Sequence, residues 1–126
     1  MIKAEVIWAA GFFDGEGCVS IARHKSGNHA IVVVGQVEPG PLHRFQSALG
    51  IGRIYGPYSR GGNRTPAYRW QAAALDDVIM VRDLLYPHLC DPAKRKFDDA
   101  LSEDTRIGAH RGRGGWKRND NERSAT

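Results

Sequence analysis

The run Ala9-Ala10-Gly11-Phe12-Phe13-Asp14-Gly15-Glu16-Gly17 gathers the residues best suited to chemistry. Asp14 and Glu16 place two carboxylates on either side of a glycine. Carboxylate oxygens are hard donors that suit a divalent cation such as Mg²⁺. Glu16 is expected just past the end of a helix, where free carbonyls and the partial negative charge of the helix terminus add oxygen-rich character. Gly11 and Gly15 stand four apart on one helical face, and small residues at that spacing let two helix backbones approach closely. Other reactive types form no pattern. His24, His29, His43 and His88 lack metal-ligand spacing. Cys18 and Cys90 are far apart and in no CxxC pair, which argues against a disulfide scaffold or a cysteine zinc site and for a reduced, intracellular (cytoplasmic) setting.

Those residues need elements to hold them. Ile2, Val6, Ala9 and Phe13 recur at helical spacing, which predicts a first helix from about Ile2 or Lys3 to Asp14. Ile7, Ala10, Gly11 and Phe12 widen its apolar surface, so one side is left to face a partner. Residues 18–23 alternate and 30–38 are rich in β-branched types, a pair of strands joined by the turn at 24–28. A helix opened by Pro41 and closed by Gly50 follows. Residues 53–58 and 67–73 then form a second strand pair around the loop 59–66, with Tyr68, Trp70 and Ala72 inward and Arg69 and Gln71 outward. Two more helices carry Leu75, Val78, Ile79 and Leu85, then Phe97 and Leu101. The expected fold class is α+β: two αββ halves forming one antiparallel sheet, helices on one face and the other face open.

Charge points to a partner. The chain of 126 residues has a formal charge of +4. From Arg106 onward there are six basic and two acidic residues, against twelve of each before it. Within residues 1–105 the signs separate: Arg53, Arg60, Arg64 and Arg69 lie in 51–71 with no acid, whereas 75–104 holds eight acids. One basic face suits a polyanion. The domain is expected over 1–105, with 106–126 a disordered basic tail of Gly, Arg, Asn and Ser. The apolar run 6–13 is far too short for the ~20 residues that span a bilayer, so no membrane partner is expected, and no small-molecule substrate. If Val19, Ile21, Val37, Ile54, Tyr68 and Trp70 point inward, then Ser20, His24, Gln36, Arg53, Tyr55, Arg69 and Gln71 share the open face. Arg and Gln suit guanine and adenine edges in the major groove of double-stranded DNA.

The nine-residue run at 9–17 resembles the LAGLIDADG signature of homing endonucleases in its Asp-Gly-Glu-Gly variant. Its placement before a hairpin and the αββαββα element order, over roughly residues 3–101, strengthen the resemblance. The resemblance implies a site-specific DNA endonuclease that hydrolyses phosphodiester bonds with Mg²⁺ or Mn²⁺. It assigns metal binding and catalysis to Glu16, metal contact to the Gly15 carbonyl, and a structural role to Asp14. It places Lys94 near the scissile phosphates, although 91–94 align only with a gap, and Gln36 among the base readers. The family packs two signature helices together; this chain holds one, so a homodimer through Ala10, Gly11, Asp14 and Gly15 is expected. Pro39 departs from the family, which often places a water-organising polar residue near there. A DNA-binding regulator that does not cut, or an RNA maturase, remains the alternative on this fold.

Overall fold

The computed structural model describes residues 1–110. Helix α1 (Lys3–Glu16) leads into the hairpin β1 (Gly17–His24) and β2 (Gly27–Gln36). After α2 (Gly40–Leu49) comes the pair β3 (Arg53–Tyr58) and β4 (Ala67–Ala72). Then follow α3 (Leu75–Leu85), a short 3₁₀ turn at Tyr86–His88, α4 (Asp91–Glu103) and a single turn α5 (Ile107–His110). The four strands form one antiparallel sheet in the order β1-β2-β4-β3. The helices cover one of its faces, as the alternation of burial along each strand requires. Among the described residues no helix is long and apolar enough to cross a membrane.

The core explains the element boundaries. From β2, Ala30, Val32 and Val34 are fully buried; they meet Val6, Ala9, Ala10 and Phe13 of α1, Leu42 and Phe45 of α2, and Phe97 and Leu101 of α4 in one cluster. The Trp70 ring meets Phe45 edge-on at 4.7 Å, and its indole N–H donates to the Ile51 carbonyl at 2.9 Å. Burying that indole with its donor satisfied makes Trp70 the pin that sets β4 against the helices. Gly50 ends α2 with φ 68°, and Gly52, with φ 89°, lies so close to the Trp70 ring that a Cβ there would collide with it. Both positions need glycine, the first for the left-handed turn and the second also for space.

Three boundaries differ from expectation. Helix α1 continues through Glu16, so Glu16 belongs to its last turn rather than lying beyond it. The Phe13 carbonyl accepts the Gly17 N–H, and Gly17 passes so close to the Phe13 ring that no side chain fits there. Glycine at 17 lets the first strand leave the helix while pressed against the core. β2 starts at Gly27 and stops at Gln36, so the hairpin turn is shorter than the residues 24–28 allowed. The ordered body also runs past residue 105. The Thr105 N–H donates to the Asn28 carbonyl at 3.0 Å, and Arg106 reaches the carbonyls of Ala73 at 2.8 Å and Ala30 at 3.3 Å. Arg106 also grips Asp104, a fully buried carboxylate that accepts the Ala30 N–H at 2.8 Å. Thus Arg106 is a structural clamp rather than the start of a tail, and the expected tail at 111–126 lies outside the described residues.

Candidate functional site

Strand register decides which side chains share the open face. Cys18 pairs with Val33, Val33 with Gln71, and Gln71 with Arg53, forming one row across all four strands. A neighbouring row runs Gly35, Arg69, Tyr55, and on the other side Ser20 pairs with Ile31. Successive strand residues face opposite sides. Since Val19, Val32, Val34 and Trp70 are buried on the helix side, these rows lie on the open side. Ser20, His24, Arg53, Tyr55, Arg69 and Gln71 therefore stand together as expected. The Arg69 guanidinium also sits over the Tyr58 ring at 5.8 Å. None of the four strands contains Asp or Glu. Strands with arginines and no acid favour a polyanion, while Asp77 borders the face, sharing a hollow with Arg53, Tyr55 and Gln71.

Gln36 does not join this face. It pairs with Tyr68, two residues beyond the Val34–Trp70 pair, so alternation puts it on the helix side of β2. The expectation rested on Val37 pointing inward, but Val37 is 38% exposed and β2 ends before it. A slip of one residue moves every side chain of a strand to the other face. With the register corrected, His29, Ile31 and Val33 enter the open face. His29 contacts His24, ring centroids 4.9 Å apart. Only the pairing of Val34 with the inward Trp70 fixes that parity, so alternation within β2 could not reveal them.

The other end of the signature run is exposed. Gly11, Asp14, Gly15 and Glu16 are all exposed, and Ile7, one turn before Gly11, is 48% exposed. A Cβ added at Gly11 or Gly15 would meet no atom of the chain within 4 Å. Glycine inside a helix costs about 0.5–1 kcal/mol relative to alanine, so the chain's own packing gives no reason for it here. Ala10 is a correction: it is fully buried among the core residues and cannot touch another chain. It falls on the Val6, Ala9, Phe13 side of α1, about a quarter-turn from the exposed stripe.

Asp14 faces the start of α4. Its carboxylate accepts the Cys90 N–H at 3.1 and 3.2 Å, satisfying an amide at the α4 N-cap. Hydrogen bonding and negative charge from Asp14 push the Cys90 thiol above its ordinary value. This link brings the first turns of α4 to the signature end of α1. Lys94 lies there, its backbone N–H bonded to the Cys90 carbonyl and its ammonium 5.3 Å from the Tyr86 ring centre. Lys94 is not among the residues lining the hollow beside Glu16.

That hollow, of about 510 Å³, lies between the end of α1 and the far end of β2. Glu16, Gln36, Glu38, Tyr58 and Arg60 line it. Glu38 is the functional candidate that sequence reasoning missed, because it stands beyond the end of β2 and outside the signature run. The hollow holds two carboxylates, an amide, a phenol and a guanidinium, all oxygen or nitrogen groups that can hold or orient water. Among the described residues no three His, Cys, Asp or Glu gather into a site able to hold a metal. The donors are hard oxygens without His or Cys, a set suited to Mg²⁺ or Mn²⁺ rather than zinc. Mg²⁺ keeps several waters and is commonly held by one or two carboxylates with substrate phosphates, so Glu16 and its neighbours fit as part of such a site.

The sequence matches no protein-family pattern and no curated protein. The fold is that of the LAGLIDADG homing endonucleases. The homing endonuclease I-CvuI, solved with an uncleaved I-CreI target in the presence of Mg, is similar at 19% identity and TM-score 0.56 over 97% of this chain and 92% of that one. The intron-encoded homing endonuclease I-CeuI, complexed with DNA, is similar at 11% identity and TM-score 0.65 over 90% of this chain. The LAGLIDADG meganuclease I-AabMI, bound to uncleaved DNA, matches at 15% identity and TM-score 0.65 over 84% of this chain. The chain spans 59% of the length of I-CeuI and 37% of that of I-AabMI.

Proposed function

We propose that this chain is a LAGLIDADG-type, site-specific DNA endonuclease that works as a homodimer and hydrolyses phosphodiester bonds in double-stranded DNA with Mg²⁺ or Mn²⁺. The observation that carries the reading is the exposed stripe of α1. Two glycines that the chain itself does not need lie on one face of a helix ending in an exposed carboxylate, beside a sheet face without acids. A second copy seated on Gly11, Asp14 and Gly15 gives both glycines a purpose and brings two Glu16 side chains together.

In this reading the sheet grips the duplex and the α1 ends sit over the backbone to be cut. Arg53, Arg69 and Gln71 meet base edges and phosphates, with Ser20, His24 and Tyr55 beside them. Glu16 and the Gly15 carbonyl would hold the divalent cation together with substrate phosphates. When bound, such a cation would supply an activated water and charge stabilisation for the leaving oxygen. Glu38 and Gln36 orient water in the hollow beside Glu16, taking the place of the polar residue that Pro39 lacks. Asp14 holds the start of α4, which keeps Lys94 at the same end to meet a phosphate.

Duplex incubated with the protein and Mg²⁺, followed by sequencing of new ends, tests the reading. Glu16→Gln should keep binding and lose cleavage of every sequence. A Glu16→Gln protein that cuts normally would remove Glu16 from catalysis. A wild-type protein that binds a specific site yet never cuts, in Mg²⁺ or Mn²⁺, would establish the DNA-binding regulator instead.

A further inference from the structure

The open face is not uniform. Its β3–β4 half presents Arg53, Tyr55, Arg69 and Gln71, side chains that hydrogen-bond. Its β1–β2 half presents the branched aliphatics Ile31 and Val33 at its centre, with small Cys18 and Ala22 opposite Val33 and His29. Ile31 and Val33 are half-buried by their neighbours, yet they face away from the core that takes Ala30, Val32 and Val34. Two branched apolar side chains side by side on a face with no acid and two arginines call for a ligand that is anionic overall and carries apolar groups. The major groove of duplex DNA is such a ligand. Its only apolar group on the base edges is the C5-methyl of thymine.

We propose that Ile31 and Val33 read thymine methyl groups, so that each half-site combines donor-read purines with methyl-read thymines. The inference rests on the DNA-binding reading above. Register supports it. Val33 is directly opposite Gln71, about 5 Å away in such a pair, a distance that spans neighbouring base pairs. Gln71 is suited to the N6 and N7 of adenine. The Val33–Gln71 pair therefore favours a step rich in A·T pairs, and Ile31 extends methyl contact towards the Ser20 side. A methyl on C5 of cytosine occupies the same groove position, so 5-methylcytosine should satisfy Ile31 or Val33 where plain cytosine does not.

The test starts from sites enriched by the full chain from a random duplex library in Ca²⁺. In the enriched site, each thymine is replaced in turn by deoxyuridine, which lacks only the methyl. Removing a buried methyl should weaken binding about fourfold at each position read by Ile31 or Val33. Placing 5-methylcytosine where cytosine is tolerated should tighten binding by a similar factor. Ile31→Ser and Val33→Ser remove every side-chain methyl and should each erase the thymine-over-uracil preference at their own positions. Equal affinity of the wild type for thymine and uracil throughout the enriched site would overturn the inference while leaving DNA binding intact. So would a uracil penalty that persists in both serine variants. If no sequence is enriched, both this inference and the DNA-binding reading fall. The wild-type comparison alone decides the matter should a serine variant fold poorly.

Discussion

Replacing Gly11 by alanine should move two measurable quantities in opposite directions. Within one chain the added Cβ meets nothing within 4 Å, so the only intrachain effect is the change in helix propensity. Alanine in a helix interior is favoured over glycine by about 0.5–1 kcal/mol. The isolated protomer should therefore become more stable by that amount in urea unfolding at concentrations too low for association. In a dimer packed through the α1 stripe, two new methyls enter the closest approach of the two backbones. Overpacking of this kind costs about 1–3 kcal/mol, which weakens association by roughly 5- to 150-fold. Gly11→Leu, with a longer side chain, should leave only monomers. Sedimentation equilibrium gives the association constant and urea titration the protomer stability, on the same preparations. Gly11→Leu protein that remains as tight a dimer as wild type would refute the stripe as the interface. A protomer destabilised by Gly11→Ala would refute the open space on which the argument rests.

Binding to duplex DNA should weaken with salt, the log–log slope falling by about 0.9 for each phosphate contacted; a flat response in filter binding between low and moderate salt would count against a DNA partner. Arg69→Ala should relax preference at particular base pairs by about 1–3 kcal/mol if its contact is bidentate, whereas Gln36→Ala, on the helix side of β2, should leave the preferred sequence unchanged in library selection. Asp104→Ala should cost about 2–3 kcal/mol in urea unfolding, because it strands the Ala30 N–H and the Arg106 guanidinium. Burial opposes the Asp104 charge, but the bonds from Arg106 and the Ala30 N–H outweigh it and hold the carboxyl below its ordinary value. A depressed folded-state pKa stabilises the fold above the unfolded value of about 4, and that contribution is lost as pH falls through the folded one. Wild-type stability should therefore drop below about pH 4, and Asp104→Asn should flatten that drop in pH-dependent denaturation.

Where sequence reasoning succeeded and where it slipped both follow from how far each signal reaches. Trp70, Phe97, Val78 and the Pro41–Gly50 bracket of α2 sit at element centres or caps, and local spacing alone places them. The element order was legible for the same reason, and the signature run at 9–17 falls at the exposed end of α1 where local spacing puts it. The slips all depend on a second element. Ala10 and Gly11 are neighbours in sequence and both small, and only the packing of α1 against the sheet separates a core residue from an exposed one. Arg106 reads as one more basic residue before a glycine-rich stretch until the buried Asp104 beside it and its two distant partners, the Ala73 and Ala30 carbonyls, are in place. The run Ile31-Val32-Val33-Val34 has no alternation of its own, so its parity cannot be read from within β2. It is set from outside, by Val34 pairing with the pinned Trp70. Once that pairing is fixed, the consequences pass along the strand in steps of two: Val32 goes inward, Val33 and Ile31 outward, and Gln36 away from the open face. One buried indole, bonded to the Ile51 carbonyl, thus decides which apolar side chains β2 presents on the open face of the sheet.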